Sequence, residues 1–322
     1  MSKVRKRASR NSGANSPLLL GLGDSVVWGQ GLLKQDKFCY MVADRWKLQV
    51  QNRAHSGATV LYGSGPDDPI TDPAYLSSVD PVSGVESATG EVPRSKPTIL
   101  EQAASFDGNP DSVSIILVDG GINDVSINNI VNPLYPIEAL DQSIEQHCHR
   151  EMTTLLKYVV ARFPHPACKV VVTGYFPILS NDSSIEMIPL LLMALRLPPL
   201  PIASWRKGNS PIELALEFWH KSDRVLAQSV QEVKDPRVMF VRSGFAEQNA
   251  LFAPDPLLRE PSFDLLHHPE YPVDDNVYDA RGVECQNYPQ DPEGCLLCPM
   301  ASLGHPTEGG AKKYAKAILA KL

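Results

Sequence analysis

Positive charge is in short supply in this chain. Its 30 Lys and Arg are outnumbered by 37 Asp and Glu, giving a formal net charge of −7 over 322 residues. A nucleic-acid partner needs a basic face to neutralise phosphates, so none is expected. Aromatic residues are only 7%, which leaves little stacking surface for sugars, although Trp28 and Tyr62 are present. Long apolar runs are missing as well, and no stretch reads as an integral membrane segment. The opening MSKVRKRASR is basic, but the nearest apolar run, Leu18–Leu20, is too short for the core of a secretory signal. Residues 1–16 therefore read as a disordered basic tail. A cytoplasmic setting is expected, with export by a route that needs no cleaved signal left open.

Cysteine is sparse too: Cys39, Cys148, Cys168, Cys285, Cys295 and Cys298. That is too few for a disulfide scaffold of this length, and reduced thiols are expected. Three readings stay open for the C-terminal three. They are free thiols, a disulfide from Cys285 to Cys295 or Cys298, and a Cys₃His zinc site using His267 or His268.

Proline, by contrast, is plentiful at 28, concentrated in segments 64–97, 196–211 and 254–299. These mark loop insertions, at about 61–110, 178–211 and 250–301, in a single domain spanning 17–322. The apolar fraction of 43% is ample for its core. Five short runs rich in Val, Ile and Leu read as strands: Leu18–Leu22, Leu48–Gln51, Val113–Val118, Lys169–Thr173 and Arg237–Val241. Several are continuous rather than alternating, as in strands covered on both faces. Helical spacing falls between them, over Phe38–Lys47, Ile137–Phe163 and Ile212–Val233, and again in the last dozen residues. The alternation predicts a three-layer α/β/α sandwich around a five-stranded parallel sheet. In such sheets ligands bind beyond the carboxyl ends of the strands.

Four segments carry chemistry-bearing residues at those ends. Gly-Asp-Ser-Val places Ser25 after the first strand, and His-Ser-Gly-Ala places Gly57 after the second. Gly-Ile-Asn-Asp places Asn123 after the third, and Gly-His-Pro places His305 before the last helix. A serine hydroxyl needs an imidazole to take its proton, and attack on an ester needs donors aimed at the developing oxyanion. Glycine suits a backbone donor because no Cβ blocks the substrate's approach. Asp24 and Asp124 are expected only to shape their turns.

Together, in that chain order, the four blocks resemble the GDSL, or SGNH, hydrolase family over residues 18–322. The resemblance implies a flavodoxin-like SGNH fold and a serine esterase or lipase. It makes Ser25 the nucleophile, His305 the base, and Ser25 N–H, Gly57 N–H and the Asn123 amide the oxyanion hole. Members of the family usually carry an Asp three residues before the histidine, where this chain has Ser302. A serine side chain cannot supply that negative charge, so the backbone carbonyl of Ser302 is expected to orient the imidazole. Asp264 or Glu308 is the alternative acid. His55 and Trp28 are expected near the pocket. The apolar segment Ile185–Pro201, with Leu191 and Met193, reads as a core helix or as a wall for an acyl chain.

The implied substrate is a small-molecule ester or lipid with an apolar acyl group, and no metal or organic cofactor is implied. Carbohydrate O-acetyl ester hydrolysis is the alternative within the same chemistry. A catalytically inactive binding module is the alternative of another class. The oligomeric state is left open.

Overall fold

Runs of Val, Ile and Leu form central strands here because helices cover both of their faces. The computed structural model describes residues 16–63, 88–198, 200–205, 209–261, 277–287 and 298–322. Residues 1–15 of the expected tail, and Asp264, His267, His268 and Cys295, lie outside the described residues.

The strands are β1 (Leu18–Leu22), β2 (Gln49–Asn52), β3 (Val113–Val118), β4 (Lys169–Thr173) and β5 (Val238–Val241). They form one parallel sheet in the order β2-β1-β3-β4-β5. This is the flavodoxin-like winding, an α/β fold as the alternation predicts. The inner strands β1, β3 and β4 are buried almost throughout, while β2 and β5 at the edges are only partly so.

The helices are α1 (Ser25–Trp28), α2 (Phe38–Trp46), α3 (Ile99–Ala104), α4 (Ile122–Val125), α5 (Ile127–Val131) and α6 (Ile137–Ile144). They continue with α7 (Met152–Arg162), α8 (Ile188–Ala194), α9 (Pro211–Val233), α10 (Tyr278–Asn287) and α11 (Glu308–Leu319). Helix α11 packs on α2, while α7 packs on both α3 and α9. Helix α9 starts one residue earlier than its apolar spacing suggests. Ser210 and Glu213 close a capping box and Pro211 occupies the first turn. The single helix expected over Ile137–Phe163 is α6 and α7 joined by a wider-wound π stretch, Glu145–Glu151. The insertions are not all loop, since α3, α8 and α10 lie within them. No helix among the described residues is long and apolar enough to cross a membrane.

Cys285 on α10 is disulfide-bonded to Cys298, with Cα atoms 6.0 Å apart. Of the three readings left open for the C-terminal cysteines, the structure has the disulfide to Cys298, because α10 packs on the turn that holds it. The bond also removes both residues from the zinc reading. Cys39, Cys148 and Cys168 are free and buried.

The winding order decides where a site can form. The chain leaves β1 towards β2 on one side and returns to β3 on the other, so a crevice opens beyond the carboxyl ends of β1 and β3. Ser25 follows β1 directly, and Asn123 follows β3.

Candidate active site

Ser25 sits on a turn that is tied down on every side but one. Asp24 caps α1, its carboxylate accepting the Val26 N–H at 2.8 Å. Asp119, just past β3, accepts the Asp24 N–H at 2.9 Å and the Val27 N–H at 3.2 Å. The amides on both sides of Ser25 are therefore engaged, while its own N–H has no acceptor among the described residues. Gly23 must be glycine, because a Cβ there would run into the Asp119 carboxylate. Gln102 of α3 holds Gly23 at both ends of its peptide group, accepting its N–H at 2.8 Å and donating to its carbonyl at 3.0 Å.

Burial raises the pKa of both Asp24 and Asp119, and the charge of Asp24 pushes Asp119 up further. Tyr175, following β4, spans two of the blocks. Its hydroxyl donates to Asp24 Oδ2 at 2.8 Å and accepts the Ile122 N–H at 3.1 Å. Burial raises its phenol pKa well above the ordinary value, so the hydroxyl keeps its proton.

His305 reaches Ser25 from the opposite end of the chain. Ser25 Oγ donates to His305 Nε2 at 2.7 Å. On the other side of the ring, Nδ1 donates to the Leu303 carbonyl at 3.2 Å. That pairing assigns the proton to Nδ1 and leaves Nε2 as the acceptor. Leu303, one residue beyond the expected Ser302, supplies this hydrogen bond. Ser302's carbonyl accepts the His305 backbone N–H at 3.0 Å, and it also favours the charged ring. The tight turn 302–305 presents both carbonyls to the imidazole, and both favour its charged form. Glu308 pairs instead with Arg259 at 3.1 Å.

The imidazole is held neutral. Desolvation is the main cause, the nearby Arg281 and Arg259 add to it, and the pKa falls to about 4. Arg281 is fully buried. It donates to Glu91 at 3.1 Å and to the Pro299 carbonyl at 3.0 Å. Its segment is the one stapled by Cys285 and Cys298. The peptide of His305 is fixed to the neighbouring strand-like turn, its carbonyl accepting the Arg259 N–H at 2.8 Å.

The two remaining block residues border the same cavity, of about 270 Å³. Gly57 has φ +82°, and a Cβ there would strike the Arg94 backbone. Its N–H has no acceptor among the described residues. The Asn123 amide donates one hydrogen to the Ala58 carbonyl at 3.0 Å, leaving the second for the cavity. The four blocks therefore converge. The rest of the wall is mostly apolar, with Ile122, Phe176, Ile178, Leu195 and Leu251 among its residues.

Of the residues expected near the pocket, only Leu191 lines it. Leu191, Ala194 and Leu195 share one face of α8 and its end, as positions three and four apart do. Met193 falls between them, turns outward and is 58% exposed. Trp28 is wholly buried behind α1, where its indole N–H donates to Glu91 at 2.7 Å and Lys37 lies over its ring. His55 is also buried. Its ring nitrogens lie 2.9 Å from the Ser56 carbonyl and 2.7 Å from the Pro97 carbonyl, so it braces the Gly57 loop from behind. Asp119, Tyr175, Gln102 and Arg281 escaped the sequence reading. Asp119 stands immediately before Gly-Gly-Ile-Asn-Asp, a position next to a recognised block that could have drawn notice.

No protein-family model and no curated protein sequence matches the chain. Several solved structures are similar in fold at low identity. The lipase Lip_vut3 from a goat rumen metagenome is 13% identical, with a TM-score of 0.45 over 95% of this chain and 97% of that one. A family two carbohydrate esterase from Clostridium thermocellum, solved with cellohexaose, is 12% identical, with a TM-score of 0.39. The match covers 95% of this chain and 63% of that one. The salicylyl-acyltransferase SsfX3 from a tetracycline biosynthetic pathway is 11% identical, with a TM-score of 0.40 over 96% of this chain and 56% of that one.

Proposed function

We propose that this chain is a serine hydrolase that cleaves carboxylic esters through an acyl-enzyme. The observation that carries the reading is the 2.7 Å hydrogen bond from Ser25 to His305 at the mouth of an apolar cavity bordered by Gly57 and Asn123. In this mechanism Ser25 Oγ attacks the ester carbonyl while Nε2 of His305 takes its proton. The oxyanion receives hydrogen bonds from the N–H groups of Ser25 and Gly57 and from the Asn123 amide. Collapse breaks the bond to the alcohol, which leaves with the proton from His305. Water, activated by the same imidazole, then releases the acid and restores Ser25.

His305 works in this scheme as half of a dyad. The Leu303 carbonyl holds the tautomer, as the acid of a triad would, but adds no full negative charge. The neutral ring is ready to accept a proton at ordinary pH. The apolar wall from Phe176 to Leu251 favours an acyl chain over a sugar, so a lipid-like acyl ester is the proposed substrate class.

The test is hydrolysis of p-nitrophenyl esters from acetate to palmitate by the wild-type chain and by Ser25→Ala. Activity that peaks on esters longer than acetate and disappears in the variant supports the reading. A sharp optimum at acetate moves the substrate towards O-acetyl esters. Equal rates in both proteins overturn Ser25 as the nucleophile, and no hydrolysis of any ester overturns the reading in favour of a binding module.

A further inference from the structure

Asp124 follows Asn123 in α4, and its carboxylate does more than shape a turn. It meets His147 and Glu151 so closely that their candidate ligand atoms all lie within 4.8 Å of one another. His147 Nδ1 is 3.2 Å from Glu151 Oε1 and 3.8 Å from Asp124 Oδ1. Ligands at zinc or similar ions lie about 2.0–2.2 Å from the metal, which sets neighbouring ligand atoms roughly 3.0–3.6 Å apart. The cluster is close to that spacing.

Two further features point to a cation. Glu151 is nearly enclosed, its side chain only 7% exposed, yet its Oε2 has no hydrogen-bond partner. His147 Nδ1 faces two carboxylates at once, those of Glu151 and Asp124. A buried polar atom left without a partner is costly, and a metal ion would satisfy it. The outer contacts suit such a site. The Val60 N–H reaches both oxygens of Asp124, at 3.3 and 3.2 Å, and Gln146 donates to Glu151 Oε1 at 3.1 Å. Outer hydrogen bonds of this kind hold metal ligands in place. His147 and Glu151 belong to the π stretch, whose winding sets them facing Asp124. The 26% exposure of the His147 side chain leaves room for water ligands and for entry.

We propose that Asp124, His147 and Glu151 bind one divalent transition-metal ion, with one imidazole and two carboxylates suiting Zn²⁺ or Mn²⁺. The ion ties α4 to the α6–α7 helix and steadies the segment bearing Asn123. The proposal does not depend on the ester reading, and it departs from the sequence-based expectation of no metal.

The experiment is calorimetric titration of Zn²⁺ into the chelator-treated full chain, with melting followed in parallel. One Zn²⁺ per chain and a rise in Tm are expected. Glu151→Gln, which is nearly isosteric, and His147→Ala should each weaken binding on the order of tenfold or more, with secondary structure retained. If His147→Ala does not fold, Glu151→Gln and Asp124→Asn decide the matter. Co²⁺ bound at the site should give visible absorption without the thiolate charge-transfer band that ligation by neighbouring Cys148 would add. No saturable binding up to about 1 mM Zn²⁺, affinity unchanged in the folded variants, or a thiolate band would each overturn the proposal. The three side chains would then be an ion-pair cluster only.

Discussion

Ser25 Oγ and His305 Nε2 stand 2.7 Å apart although 280 residues separate them in the chain. The pair joins the turn after the first strand to the turn before the last helix. Neither turn could hold the arrangement alone. Asp24 and Asp119 fix one side, and Arg259 with the Leu303 carbonyl fixes the other.

Asn123→Ala should lower kcat about 10²–10³-fold on the best p-nitrophenyl ester, with little change in KM. In the proposed mechanism the Asn123 amide is offered to the oxyanion, whose charge is absent from the bound ester and develops towards the tetrahedral intermediate. Steady-state kinetics on the purified variant, beside an unchanged circular dichroism spectrum, checks this. A rise in KM alone would assign Asn123 to ground-state binding.

The acid limb of kcat/KM should lie well below the ordinary histidine range. A free imidazole titrates near 6.5, whereas desolvation and two arginines hold His305 at about 4. Protonation removes the base, so activity should persist through pH 5 and fall only as pH approaches that value. The same shift bears on stability. A folded-state pKa depressed below the unfolded one contributes stability that is present in full above the unfolded value. That stability is lost as pH falls through the folded value. A limb centred near 6.5 would show that the ring is better solvated in solution.

Tyr175→Phe should slow turnover and lower Tm. The variant keeps the ring but deletes the hydroxyl that bonds Asp24 and the Ile122 N–H, leaving two buried groups short of a partner. The cost should be about 1–3 kcal/mol. Thermal melting measures the stability loss. A fall in kcat with KM retained would show that the bridge positions the Ser25 and Asn123 turns relative to each other.

Leu191→Trp should shorten the preferred acyl chain. Leu191 lies on the cavity wall and is 2% exposed, so added bulk must enter the cavity. The ratio of kcat/KM for long over short p-nitrophenyl esters should drop by about tenfold or more. An unchanged ratio would put the acyl chain elsewhere. Met193→Trp, on the outward side of the same helix, is the control expected to change little.

Cys298→Ser should destabilise the chain by about 3 kcal/mol, the entropy of a loop of this length, since the crosslink spans 13 residues. It should lower kcat as well, because Cys298 begins the segment that runs into His305. Reduction of the wild type with dithiothreitol should reproduce both effects. A variant that loses Tm but not kcat would separate the staple from the placement of the histidine.

The sequence by itself determined the layers of this protein and the chemical types at its candidate site. Strands buried on both faces demand continuous Val, Ile and Leu, so β1, β3 and β4 announce themselves locally, and their order fixes where the turns bearing Ser25, Gly57 and Asn123 emerge. Those residues and His305 were legible because each lies in a short block of fixed spacing. The supporting contacts were not. Gln102 reaches Gly23 across 79 residues, and Tyr175 reaches Asp24 across 151. Arg281 reaches Glu91 across 190. Hydrogen bonds over such separations leave no local pattern, because any polar side chain can make them once packing brings it near. Backbone geometry decided the rest. The turn 302–305 added the Leu303 carbonyl to that of Ser302 beside the imidazole, and the 3.6-residue winding of α8 sent Leu191 inward and Met193 out.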